Sequence, residues 1–224
     1  VCIRASGDPQ NLSTGDRRQR QMCRRDSLCA VGAYYDINRG GLTGSHIYVE
    51  DEYIRAAVGG TGFAKVGGNY AGGMRATKKA LEAGCKEVLW LDARDHKYVE
   101  EVGTSNAFFM IADEVITAPL GGSILPGVTR DSTITLLRKW GYKVSERKLS
   151  IDEIEAASKD GTLQEAWATG TACVISPIGY LRYKGEDIVV NGGGVGPVSQ
   201  KLYDTIYGMQ TGALPDDMGW IVQL

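Results

Sequence analysis

From Ser27 onward the chain divides into short apolar blocks whose period switches between that of a strand and that of a helix. Residues 28–35 and 46–49 are β-rich runs separated by the turn-forming Asn38-Arg39-Gly40-Gly41, which predicts two strands. Residues 70–83 carry Met74, Ala76, Ala80 and Leu81 at helical spacing and meet Gly84, which predicts a helix and its stop. Residues 88–91 predict a short buried strand, and residues 107–118 a tight hairpin turning at Asp113-Glu114. Thr129 is the expected cap of a helix that runs through Trp140 and is ended by Gly141. Ser150 and Glu153 form a capping box for a helix over residues 151–158. Residues 167–178 read as strand and 180–190 as a second hairpin. Residues 196–211 read as a final helix with Leu202, Ile206 and Met209 inward. Helices and hairpins interleave, which predicts a mixed α+β fold and not a doubly wound parallel sheet.

Composition narrows the function classes. A chain of 224 residues can bury a full core. A net charge of −2, with both signs present, gives no broad basic surface, so nucleic acid is not expected as a partner. No apolar run is long enough to span a membrane, and no charged-then-apolar leader opens the chain. Of the five cysteines, Cys85 and Cys173 stand alone in apolar surroundings, which fits a reduced, cytoplasmic setting. The first 27 residues differ from the rest, holding six arginines against three aspartates, with no lysine or glutamate and no period of either kind. A basic interaction arm and a non-native extension are the two readings; we take the second and expect no fold there.

Candidate chemistry begins at Lys65, in Gly59-Gly60-Thr61-Gly62-Phe63-Ala64-Lys65-Val66-Gly67-Gly68-Asn69-Tyr70. Seven of the fifteen residues in 59–73 are glycines, so the segment resists helix and strand and lets backbone approach a bound group. A lysine desolvated there becomes a nucleophile toward a carbonyl; the alternative is a flexible surface loop with a solvated lysine. Three further loops are compatible with a site. Glu101-Val102-Gly103-Thr104-Ser105-Asn106 offers a carboxylate that keeps a pyridine nitrogen protonated, or else a surface acid beside Glu100. Leu125-Pro126-Gly127-Val128-Thr129-Arg130 opens a helix whose free N–H groups suit a phosphate, or is ordinary capping. Thr169-Gly170-Thr171-Ala172 lets small residues approach an anion, or is a kinked strand.

Taken in order and spacing, Ala64-Lys65-Val66-Gly67-Gly68-Asn69-Tyr70, Glu101-Val102-Gly103-Thr104-Ser105-Asn106, Leu125-Pro126-Gly127-Val128-Thr129-Arg130 and Gly170-Thr171-Ala172 resemble the branched-chain amino acid aminotransferases. These are pyridoxal 5′-phosphate enzymes of fold type IV, within the class IV aminotransferases. The resemblance runs from about Leu28 to Leu224. It implies that Lys65 forms the Schiff base with the cofactor and later moves a proton, and that Tyr70 hydrogen-bonds the ring O3′. It implies that Glu101 meets the pyridine nitrogen, with Thr104 near the ring. Val128 and Thr129 match the phosphate pair, and Thr171 and Ala172 the turn serving phosphate and substrate carboxylate. The implied reaction is reversible amino transfer from leucine, isoleucine or valine to 2-oxoglutarate, in a cytoplasmic homodimer without metal.

The departures are as informative. The family carries a smaller N-terminal domain that supplies a phosphate-binding arginine and much of the side-chain pocket, and no equivalent is recognisable here. The expected organisation is therefore an unassigned segment 1–27, the end of the small domain and an interdomain segment over 28–58, and the large cofactor-binding domain over 59–224. Such a chain reads as a fragment with impaired activity. Cys173-Val174-Ile175-Ser176 lacks the CxxC pair of some members, so no thiol switch is expected, and His96 reads as a turn residue. The alternatives are a D-amino acid aminotransferase or aminodeoxychorismate lyase of the same fold, or a folded remnant without catalysis.

Overall fold

A computed structural model describes residues 41–222. Among them nine strands form one sheet. Strand β1 (Ser45–Glu50) runs parallel to both β2 (Glu87–Leu91) and β8 (Val174–Tyr183). The other neighbours are antiparallel: β2 with β3 (Val99–Val102), β3 with β4 (Ser105–Ile111), β4 with β7 (Leu163–Gly170), and β7 with β8. Six strands thus close a ring, which leaves no free edge along it. β5 (Glu114–Thr117) and β6 (Lys143–Glu146) extend from β4, and β9 (Glu186–Val189) pairs with β8. Five helices accompany the sheet: α1 (Gly67–Ala71), α2 (Met74–Glu82), α3 (Val128–Lys139), α4 (Ile151–Lys159) and α5 (Pro197–Thr211).

Strand alternation sorts the core into two main clusters. Phe109 belongs to a cluster drawn from every strand of the ring, with Ile47, Leu89, Val102, Ala168 and Leu181, which also takes Ile151 and Ile154 of α4. Phe108, pointing the other way, packs with Trp167 and with α3 and α5 through Leu136, Leu137, Leu202 and Ile206. The Phe108 and Trp167 rings stack at 5.6 Å and 4°. Ala76 and Ala80 of α2 form a third cluster with Val88 and Trp90. At the start of α5 the buried carboxylate of Glu165 accepts the N–H groups of Val198 and Ser199 at 2.8 and 2.9 Å, serving the positive helix end. A Cβ on the N-cap Gly196 would lie 1.9 Å from Glu165 Cδ, so only glycine admits that carboxylate.

Several elements match the expectations: β1, β2, the 107–118 hairpin, the 180–190 hairpin, and α5 with Leu202, Ile206 and Met209 buried. Gly84 and Gly141 take positive φ just past their helices, and His96 sits in a turn at φ 47°. Ser150 accepts the Glu153 N–H at 3.1 Å, but the Glu153 carboxylate turns to Arg147, so half of the capping box forms.

Other expectations are corrected. The 70–83 helix is two helices parted at Gly72-Gly73, and Met74 and Leu81 face solvent while Ala76 and Ala80 are buried. Gly127, not Thr129, is the N-cap of α3, and no side chain caps it. Residues 167–178 are two strands joined by a turn at Thr171–Cys173, and Val174, the first residue of the second strand, takes φ 56°. β1 lies inside this sheet, between β2 and β8. The expected strand over 28–35 and the segment 1–27 lie outside the described residues. No described helix is long and apolar enough to cross a membrane.

Candidate active site

The lysine loop has no helix or strand from Gly59 to Val66; backbone turns such as Ala64 N–H to Thr61 O at 2.9 Å fold it locally, and side chains fix it in place. Buried Asn69, on the short helix α1, does most of this. It accepts a hydrogen bond from the Thr61 hydroxyl at 2.7 Å and donates to the Thr61 and Ala64 carbonyls at 2.9 Å each. Lys65 follows Ala64 directly. Its side chain is exposed, with Nζ 5.9 Å from the centroid of the half-buried Tyr70 ring. The burial that the glycine-rich setting suggested for this lysine is not found.

Arg55 ties this loop to the sheet. Its Nη1 donates to Ser123 O at 2.9 Å and to Gly62 O at 3.4 Å, while its Nε lies 2.8 Å from Oε2 of Glu101. A Cβ on Gly62 would sit 2.3 Å from Ser123 O, so the loop passes close only because that residue is glycine. Glu101 is 1% exposed at the end of β3. Its Oε1 accepts the Leu125 N–H at 2.9 Å and the Asn106 amide at 3.1 Å. Its Oε2 has an ionic neighbour in Arg55 but no hydrogen-bonded partner. Burial pushes the carboxyl up to about 7, against the opposing charges of Arg55 and Lys65.

The strand register brings the remaining loops to the same end of the ring. Glu101 pairs with Asn106 across β3–β4, and Asn106 with Thr169 across β4–β7, so the three share one row. Half-buried Thr104 stands in the β3–β4 turn beside Gly103, whose φ is 54° and whose carbonyl accepts the Trp90 indole N–H at 3.0 Å. The β7–β8 turn carries Thr171 and Ala172, both exposed. It is held near the β3–β4 hairpin by Cys173, with Sγ 3.9 Å from Ser105 Oγ. Thr169 Oγ1 is buried there without a partner. Asn106 also donates to Leu125 O at 2.9 Å, and a Cβ on Gly127 would meet Asn106 Oδ1 at 2.3 Å. The uncapped first turn of α3, with Val128 exposed and Thr129 half-buried, is thereby fixed beside Glu101.

These features fit a phosphorylated pyridine. A buried carboxylate oxygen without a hydrogen-bonded partner suits a protonated ring nitrogen, and an uncapped helix start behind a glycine suits a phosphate. The amino-transferase class IV family profile matches residues 61–180, which contain all eight of the expected site residues. The chain belongs to the class IV aminotransferases.

Two relatives of this class IV chain are similar over nearly all of it. Branched-chain-amino-acid aminotransferase 2 of Bacillus subtilis is 50% identical over 197 residues, 88% of this chain and 53% of that protein. The probable branched-chain-amino-acid aminotransferase of Staphylococcus epidermidis is 51% identical over 199 residues, 88% of this chain and 54% of its own length. The chain therefore spans about half the length of the curated relatives it matches. Its fold is shared with the solved Escherichia coli branched-chain amino acid aminotransferase, at TM-score 0.73 and 30% identity over 87% of this chain and 60% of that one. A second solved branched-chain amino acid aminotransferase, complexed with N-(5′-phosphopyridoxyl)-L-glutamate, shares it at TM-score 0.69 and 28% identity over 80% of this chain and 56% of that one. Fold type IV, expected from the motifs, is thus the fold of this class IV chain.

Of the expected residues, Lys65 and Tyr70 lie together, and Glu101 is fixed to the segment that opens onto Val128 and Thr129. Thr171 and Ala172 lie on the turn adjoining the hairpin of Thr104. An adjoining cavity of about 510 Å³, lined in part by Glu100, Ser123, Ile124 and Pro119, includes none of the eight. Sequence reasoning missed Arg55, Asn69 and Asn106 as parts of the site. Asn69 and Asn106 stood inside the quoted motifs, while Arg55 carried no local pattern.

Proposed function

We propose that this chain is the cofactor-binding part of a pyridoxal 5′-phosphate-dependent transaminase acting on branched-chain L-amino acids and 2-oxoglutarate. The observation that carries the reading is the Glu101 carboxylate, buried and pinned by Leu125 N–H beside the uncapped start of α3. The solved relative complexed with N-(5′-phosphopyridoxyl)-L-glutamate supports the cofactor, and the names of the half-identical relatives support the substrates.

When bound, pyridoxal 5′-phosphate supplies an electron sink for the bonds at the substrate's Cα. Every other task falls to side chains of this chain. Glu101 holds the ring nitrogen protonated. Tyr70 donates to O3′, with Thr104 beside the ring. The first-turn N–H groups at Val128 and Thr129, with the Thr129 hydroxyl, take the phosphate, joined by Thr171. Thr171 and Ala172 orient the substrate carboxylate. Lys65 tethers the cofactor and carries the proton to and from Cα, a role within reach of an exposed amine on a flexible four-carbon stem. The domain boundaries expected from sequence and a homodimeric assembly belong to this same reading.

The test is a substrate panel on the full chain loaded with pyridoxal 5′-phosphate. L-Leucine, L-isoleucine and L-valine with 2-oxoglutarate are expected to give glutamate, and D-alanine is not. Glutamate from D-alanine alone, or from none of the four, contradicts the proposal.

A further inference from the structure

Glu101, Asn106 and Leu125 form a closed triangle of hydrogen bonds. The Asn106 amide donates both to Glu101 Oε1 at 3.1 Å and to Leu125 O at 2.9 Å, and Leu125 N–H donates to the same Oε1 at 2.9 Å. Asn106 is 5% exposed and Glu101 1%, so neither exchanges these bonds with water. The far side of the amide is equally confined, since Oδ1 would lie 2.3 Å from a Cβ built on Gly127, the residue that caps α3. One side chain therefore touches the carboxylate at one end of the site and the helix cap at the other.

We propose that Asn106 is a positioning residue that clamps Glu101 to the opening of α3, so that the ring-nitrogen anchor and the phosphate cradle move as one rigid unit. The inference deepens the cofactor reading given above and rests on it. A pyridine phosphate is itself rigid, and its two anchors must be held at a fixed separation for both to be satisfied at once. The backbone alone does not fix that separation, because β3 and α3 are parted by the whole β4–β5 hairpin and the loop after it. The amide spans the gap. As a donor to Glu101 Oε1 it also favours the charged form of that carboxyl.

The experiment follows the Glu101 carboxyl by carbon-13 NMR in the cofactor-free full chain, assigned with Glu101→Gln, in four proteins: the parent, Asn106→Ala, Gly127→Ala and the double variant. Loss of the donor in Asn106→Ala is expected to raise the Glu101 midpoint by about one pH unit. Gly127→Ala, which does not touch Glu101, is expected to raise it as well, because the new methyl displaces the amide. In the double variant the methyl has room and adds nothing further. In parallel, both single variants are expected to weaken binding of pyridoxal 5′-phosphate about tenfold. A Glu101 midpoint unmoved by Gly127→Ala overturns the clamp, as does an additive double variant. A merely structural Asn106 lowers the unfolding midpoint and leaves the Glu101 titration in place. Where Asn106→Ala fails to fold, Asn106→Ser and Gly127→Ala decide the matter. A parent that binds no pyridoxal 5′-phosphate overturns the cofactor reading instead, and the titration series still decides the clamp.

Discussion

Arg55 Nε lies 2.8 Å from Glu101 Oε2, with the two side chains 6% and 1% exposed. An ion pair so deeply buried is costly to break from one side, because the remaining charge keeps its desolvation penalty without its partner. Arg55→Met is therefore expected to lower unfolding stability by about 3 kcal/mol. Arg55→Lys is expected to fall short of the parent, since one ammonium cannot also serve Ser123 O and Gly62 O. Urea denaturation checks both, and Arg55→Met with Glu101→Gln should lose less than the sum of the single changes.

A pH dependence follows from Glu101. Burial first, opposed by the charge of Arg55, pushes its carboxyl from 4.5 to about 7. The folded state therefore holds a proton that the unfolded chain releases near 4.5. Between those values the folded protein binds more protons, so stability falls as pH rises through this window. Glu87 and Glu100 are raised by burial as well and add slope of the same sign. Denaturation midpoints on either side of the window should drop less in Glu101→Gln than in the parent. Equal drops would show that Glu101 is ionised throughout.

Asn69→Ala removes the three side-chain hydrogen bonds that Asn69 makes to the lysine loop. The loop is exposed, so the loss in global stability should be modest, about 1–2 kcal/mol. The loss in cofactor binding should be larger, about tenfold by equilibrium dialysis, because Lys65 no longer starts from a fixed backbone. A variant that binds pyridoxal 5′-phosphate like the parent would show that the loop is ordered by other means.

What the sequence made legible was local. Ser150 caps its helix, Gly84 and Gly141 stop theirs, and the 107–118 hairpin closes where it was expected, because each depends on residues a few positions apart. The misreadings have equally local causes. Thr129 is a good cap by type, but Gly127 leaves the chain extended at φ −70° and ψ 137°, and the helix starts sooner, at Val128. Met74 and Leu81 keep helical spacing yet lie on the outer face, because the two alanines already fill the narrow space over Val88 and Trp90.

Ring closure was not legible at all. It depends on β1 pairing with β8, and no periodicity encodes a partner so distant along the chain. The site divides in the same way. The glycine loops and their motif order marked Lys65, Glu101 and Val128-Thr129, whereas the contacts that bind them together run through Arg55 and Asn106, whose partners lie far off in sequence.

The central claim is that Lys65, one of eleven lysines, is the cofactor's attachment point. The direct measurement is borohydride reduction of the full chain with pyridoxal 5′-phosphate, followed by peptide mass mapping. The account predicts one dominant pyridoxyl adduct, on Lys65, that disappears in Lys65→Ala without moving to another lysine. An unmodified Lys65, or adducts spread evenly over the exposed lysines, would contradict it.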